Sequence, residues 1–198
     1  MNSPHAFATA PARLGPAVSL LFALCLCLPP ATAAAAQRRE HLTPEEIELV
    51  RDNQELDART GVFIKAAERR LLAAADPAGS AKNAPKEKEK WGEVKGTRAQ
   101  LYYDISKILD EAVVNVDDVA GRNPESPLLR KSLYMLSEAS ARMLPTLTKL
   151  RQDVQSEAEA DQLDRALETA REITDAARER GVTAEDLKVK VKDAKKNE

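Results

Sequence analysis

Two stretches of this chain carry their apolar residues in alternating steps of four and three, a spacing that admits little besides paired helices. The first reads Leu101, Ile105, Ile108, Ala112, Asn115, Val119; the second reads Leu129, Leu133, Leu136, Ser140, Met143, Leu147, Leu150, Val154. On an α-helix these steps draw a stripe along one face, and two consecutive stripes of this period predict bundle packing of the coiled-coil kind. Asn115 and Ser140 are the polar members of the two seams, in positions where a polar residue fixes register.

The punctuation agrees with the periodicity. Thr97 and Gln100 have capping-box spacing at the start of the first seam, Gly121 is the expected C-terminal cap, and Pro124 blocks continuation. Ser126-Pro127 opens the next helix, in which Pro145 predicts a kink. The apolar stripe stops at Val154 and restarts out of phase at Leu163, Ala166, Ala170, Ile173 and Ala177, so a tight turn is expected near Ser156. Gly181 ends that helix, and Val182 to Leu187 begins a short one before a charged tail.

Upstream, Leu42-Thr43-Pro44-Glu45-Glu46-Ile47 combines a capping box, a proline at the first helical position and a hydrophobic staple. The helix it starts is expected to run to Ala75 through Leu49, Leu56, Phe63, Ala67 and Leu71, weakened in the middle by Gly61. Residues 76–96 hold two prolines among many lysines and glutamates, and read as a flexible charged linker. The fold class is therefore all-α: an elongated bundle of about four long helices plus a short C-terminal one. The spans are 37–75 for the lead-in and first helix, 76–96 for the linker, 97–182 for the helical hairpins, and 183–198 for the short helix and tail.

Residues 1–36 have a different character. An uncharged apolar run from Ala17 to Leu28 is followed by Pro29-Pro30 and then by small residues with Ala-x-Ala sites ending at Ala33 or Ala36. This is the layout of a secretory signal peptide, and the run falls short of the about 20 apolar residues of a membrane span. The expected product is exported, periplasmic or secreted, with no stable membrane span after cleavage. Cleavage would remove Cys25 and Cys27, the only cysteines, so packing alone would hold the mature fold. From Gln37 onward Leu, Ile, Val and Phe make up about a fifth of the residues, enough for a thin helical core.

The charge balance, 30 Lys+Arg against 32 Asp+Glu, speaks against a dedicated nucleic-acid binder, which needs a basic face. After cleavage His41 is the only histidine, expected on an exposed lead-in, which speaks against a Ser-His pair, and the Glu-x-x-His of di-iron bundles is missing. Without cysteine, zinc knuckles and iron–sulfur ligation are excluded as well. The acidic set Asp104, Asp110, Glu111, Asp117 and Asp118 sits off the apolar seam and reads as a solvated helix face rather than a glycosidase pair. No catalytic, cofactor or metal residue is assigned. The one candidate binding surface is aromatic: Trp91, Tyr102 and Tyr103 lie close together in sequence, with Gly92 and Gly96 letting the segment fold back onto the next helix.

Three segments carry a resemblance: Leu42 to Asp52, Phe63 to Arg70, and Trp91-Gly92-Glu93 followed by Lys95 to Arg98. Together they resemble an uncharacterised family of short, exported, all-helical bacterial proteins, over most of the mature chain. No activity attaches to that family, so the resemblance carries no site residues over. Leu42-Thr43 is also similar to the Leu-Thr-x-x-Gln motif of periplasmic stress chaperones, although Glu46 stands in place of the Gln and no second copy occurs. The expected function is a non-enzymatic interaction or scaffold protein of the cell envelope, acting on a protein partner or on itself, without cofactors. The alternatives are a periplasmic chaperone-like or apolar-ligand-binding helical protein and, third, a glycan-acting enzyme.

Overall fold

In a computed structural model, residues 40–189 are described, and among them every regular element is helical. The helices are α1 (Pro44–Asp52), α2 (Leu56–Ala75), α3 (Pro77–Trp91), α4 (Arg98–Arg122), α5 (Pro127–Leu150) and α6 (Glu157–Glu179). Short 3-10 turns cover Arg151–Asp153 and Ala184–Lys188. The all-α bundle is thus the observed fold. The expected signal peptide and the end of the charged tail lie outside the described residues.

The four long helices form a ring in the order α2, α4, α6, α5, each packed on its two neighbours. Cross-links between helices give their directions. Lys131 pairs with Asp57 and Arg142 with Glu68, so α2 and α5 run parallel. Arg98 pairs with Glu159 and Thr169 bonds Asp110, so α4 and α6 are parallel too. Arg59 near the start of α2 reaches Asn115 in the second half of α4, so that pair is antiparallel. The consecutive helices α4 and α5 therefore stand across a diagonal of the ring, not side by side as a simple hairpin.

The core follows the seams. Leu101, Ile105, Ile108 and Ala112 are buried on α4; Leu133, Leu136, Met143 and Leu147 on α5; Leu163, Ala166, Ala170 and Ile173 on α6. On α4 the buried stripe is wider than the seam and includes Tyr102, Leu109 and Val116, because α4 packs against helices on two sides. Thr43 and Glu46 make both bonds of the expected capping box, as do Thr97 and Gln100. Ser156 caps α6, which settles the turn between α5 and α6. Gly181 closes α6 as a Schellman motif: at φ +60, its N–H reaches the Arg178 carbonyl and that of Val182 reaches the Ala177 carbonyl.

Four expectations need correction. The first helix is two helices, because Asn53 and Gln54 turn their side-chain amides back onto the carbonyls of Leu49 and Arg51 and end α1. The linker is largely helical: Asp76 caps Gly79, Pro77 sits at the tolerated first position, and Glu87 ties α3 to α2 through Lys65 and Arg69. Gly121 is not a cap; α4 runs on to Arg122 and Asn123 terminates it. The short C-terminal helix is a 3-10 turn held by Thr183 and Asp186. Pro145 lies inside α5, which continues to Leu150.

Candidate functional site

The three aromatic residues singled out in the sequence go to three places. Tyr102 is fully buried in the core, and its hydroxyl accepts hydrogen bonds from Arg98 Nη2 (3.0 Å) and Nε (3.2 Å). Burial pushes its phenol above the usual range, and Arg98 offsets only part of that. Tyr102 is therefore no part of a binding surface. Neighbours in a helix point about 100° apart, so when Tyr102 joins the seam Tyr103 must leave it. Tyr103 is half-buried beneath the Lys107 ammonium, 6.0 Å from its ring centroid. Trp91 ends α3 with Arg69 and Lys90 over its ring, at 5.9 and 5.7 Å, and so packs against α2 instead of the start of α4.

Around Trp91 lies a cluster that periodicity does not reveal. Glu46 is fully buried; its Oε1 accepts from Arg69 Nη1 (2.5 Å) and Arg70 Nη1 (2.6 Å), and its Oε2 from the Thr43 amide (2.9 Å). Arg69 also donates to the carbonyls of Trp91 (2.9 Å) and Gly92 (2.6 Å), and the Thr43 hydroxyl to that of Trp91 (2.7 Å). Arg70 reaches the His41 carbonyl, and His41 Nε2 meets Glu111 of α4 at 2.6 Å. His41 is consequently a half-buried bridge, not an exposed lead-in. Partial burial works against ionisation of Glu87, but Lys65 and Arg69 outweigh it and hold its carboxyl below the usual range. Each oxygen of Glu46 is already committed to a donor, which suits a structural clasp better than acid–base work. The visible signals for it were the capping-box Glu46 and the adjacent Arg69-Arg70.

The acidic set divides as well. Asp117 and Asp118 are exposed, as a solvated face requires, whereas Asp104 is buried. Among the described residues no group of three His, Cys, Asp or Glu side chains is arranged to hold a metal ion, and no helix is long and apolar enough to cross a membrane.

The concave surface with most character is a trough along the α4–α6 seam. Its polar end, about 260 Å³, is lined by Tyr103, Ser106, Lys107, Asp110 and Arg165. It adjoins an apolar section of about 430 Å³ floored by Val113, Val116, Leu133, Leu136 and Ile173. Val114 stands at the mouth, 62% exposed. Asp110, Asp117 and Glu172 line the same section, which continues past Arg180 to Leu129 and Val182. From Tyr103 to Ala120 the trough follows α4 for about 25 Å at 1.5 Å per residue. Comparison with protein-family models, with curated proteins and with solved structures finds no match for this chain.

Proposed function

We propose that this protein is an exported, non-enzymatic interaction or scaffold protein of the cell envelope, and that the α4–α6 trough receives a helix of a protein partner. The observation that carries this reading is Val114, a largely exposed β-branched residue at the mouth of an apolar floor with three carboxylates around it. An amphipathic helix lays its apolar face into such a groove, reading it at i, i+3, i+4 and i+7 spacing. Because Asp110, Asp117 and Glu172 outnumber Arg180 in the lining of this section, the complementary helix carries lysine or arginine beside its apolar stripe. The family resemblance and the Ala-x-Ala sites support the export part of the reading, with the mature chain starting after Ala33 or Ala36.

The test places a photo-crosslinking residue at Val114 in the producing cells, with a control at exposed Asp161 on α6. The expected product is one dominant adduct specific to position 114, mapping to a basic amphipathic helix, on a chain whose first residue follows the cleavage site. The isolated helix should then bind the purified protein and lose about tenfold in affinity, worth 1.4 kcal/mol, with Val114→Asp. A broad mixture of partly folded exported proteins would replace this reading with the chaperone-like one. Equal labelling from positions 114 and 161 would remove the trough as the surface, and an intact Met1 terminus would remove export.

A further inference from the structure

We propose that α3 is a conditional strap, a helix that melts off the bundle by itself and so opens the cleft it covers between α2 and the start of α4. This inference is independent of the trough. Of the side chains described on α3 none is buried, whereas α2, α4, α5 and α6 each bury seven or more residues. A helix of 15 residues with none of its described side chains buried is marginal in water, and α3 also holds Gly79 in its first turn and Pro85 in its interior. The proline alone removes a backbone hydrogen bond and crowds the preceding turn, a cost of about 3 kcal/mol in a helix interior. Local propensity therefore opposes α3, and its order rests on what it touches.

Its described side-chain tie to α2 is charged. Glu87 Oε1 meets Lys65 Nζ at 3.0 Å and its Oε2 meets Arg69 Nε at 3.1 Å. Lys65 is 42% exposed and Glu87 31%, so salt reaches the pair and weakens it. The far end behaves differently: the Trp91 and Gly92 carbonyls are clamped by the buried Arg69 and by Thr43. The strap is thus pinned at its C-terminal end, and among its described side chains the tie to α2 further along is Glu87, whose pair with Lys65 is open to salt. Beneath it lies a cleft of about 400 Å³ whose walls include Leu72, Ala73, Val94 and Leu101. Leu72 is already 38% exposed, and loss of α3 would bare more of this wall.

Amide hydrogen exchange on the full chain, read separately for 77–90 and for 101–116, tests the proposal. Local opening without global unfolding should make 77–90 exchange at least ~100-fold faster than 101–116. Glu87→Gln, or 1 M salt, should speed 77–90 by a further ~5-fold or more while 101–116 keeps its rate. Glu89→Ala is the control, since Glu89 is exposed and belongs to none of these pairs. Equal protection of the two segments would overturn the proposal. So would a Glu87→Gln effect no larger than that of Glu89→Ala, or one that accelerates both segments together.

Discussion

At the scale of single residues, Gly92 is the most constrained position described. Its φ of +70 and ψ of −176 fall in a region open essentially to glycine alone. A Cβ there would also run into the Glu45 carboxylate and the Thr43 hydroxyl, the latter at 2.7 Å. Gly92→Ala should therefore cost about 2 kcal/mol or more, read as a lower urea midpoint with unchanged slope. Gly61 and Gly121 predict the opposite sign. Both are helical; a methyl at Gly61 meets Met135 Cε at an ordinary 3.8 Å, and one at Gly121 meets nothing within 4 Å. Each change to Ala should stabilise by about 0.5–1 kcal/mol. A neutral Gly92→Ala, or a destabilising Gly121→Ala, would contradict the backbone geometry. At this scale the seam residues were legible, because burial follows period. Ser140 was less so: it sits on the seam, yet its buried hydroxyl has no hydrogen-bond partner and fixes no register. Asn115 does bond across the bundle, to Arg59.

At the scale of elements, capping chemistry was the most legible feature, since Thr43, Thr97 and Ser156 act within a few residues of themselves. The break at Asn53 and the order of α3 were not. The first depends on competition between side-chain amides and the helix for the same carbonyls, the second on Glu87 finding partners about twenty residues away. The C-terminal 3-10 turn makes a similar long-range bond. Asp186 accepts from Arg130 Nε (2.9 Å) and from the Thr183 amide (2.7 Å), and these bonds hold its carboxyl below the usual carboxylate range. A depressed carboxylate stabilises the fold fully above its unfolded pKa, and the contribution is lost as pH falls through the lower, folded value. The turn should stay docked at neutral pH and loosen only below about pH 4. Proton exchange of the 183–188 amides checks this. Asp186→Asn should give the loosened behaviour at every pH; a transition near pH 6 in the native chain would show that another group controls the turn.

Across the whole molecule, the ring order α2, α4, α6, α5 was not legible, although its four members were. Periodicity states which face of a helix is apolar, but not which partner covers it. The four-residue connection Asn123–Ser126 suggested neighbours, as short loops in bundles usually do, yet α4 and α5 take diagonal places. A large non-local constraint elsewhere in the fold is the Glu46 clasp, which joins α1 and α2 to Trp91 and Gly92 at the end of α3. Removing its carboxylate leaves Arg69 and Arg70 buried beside each other, so Glu46→Ala should cost about 3–5 kcal/mol. Urea unfolding measures it, and a loss below ~1 kcal/mol would mean that the two guanidinium groups find solvent.

That clasp also acts on the topology of the chain. By tying Thr43 and Glu46 to Trp91 and Gly92, it closes a loop of nearly fifty residues, the kind of closure that a covalent cross-link supplies elsewhere. Residues 40–189 contain no thiol, so this closure is indifferent to reductant and reforms whenever the chain refolds. Its weakness lies in competing ions: guanidinium chloride supplies a soluble mimic of the arginine head, and the clasp is the feature on which that denaturant and urea should differ most.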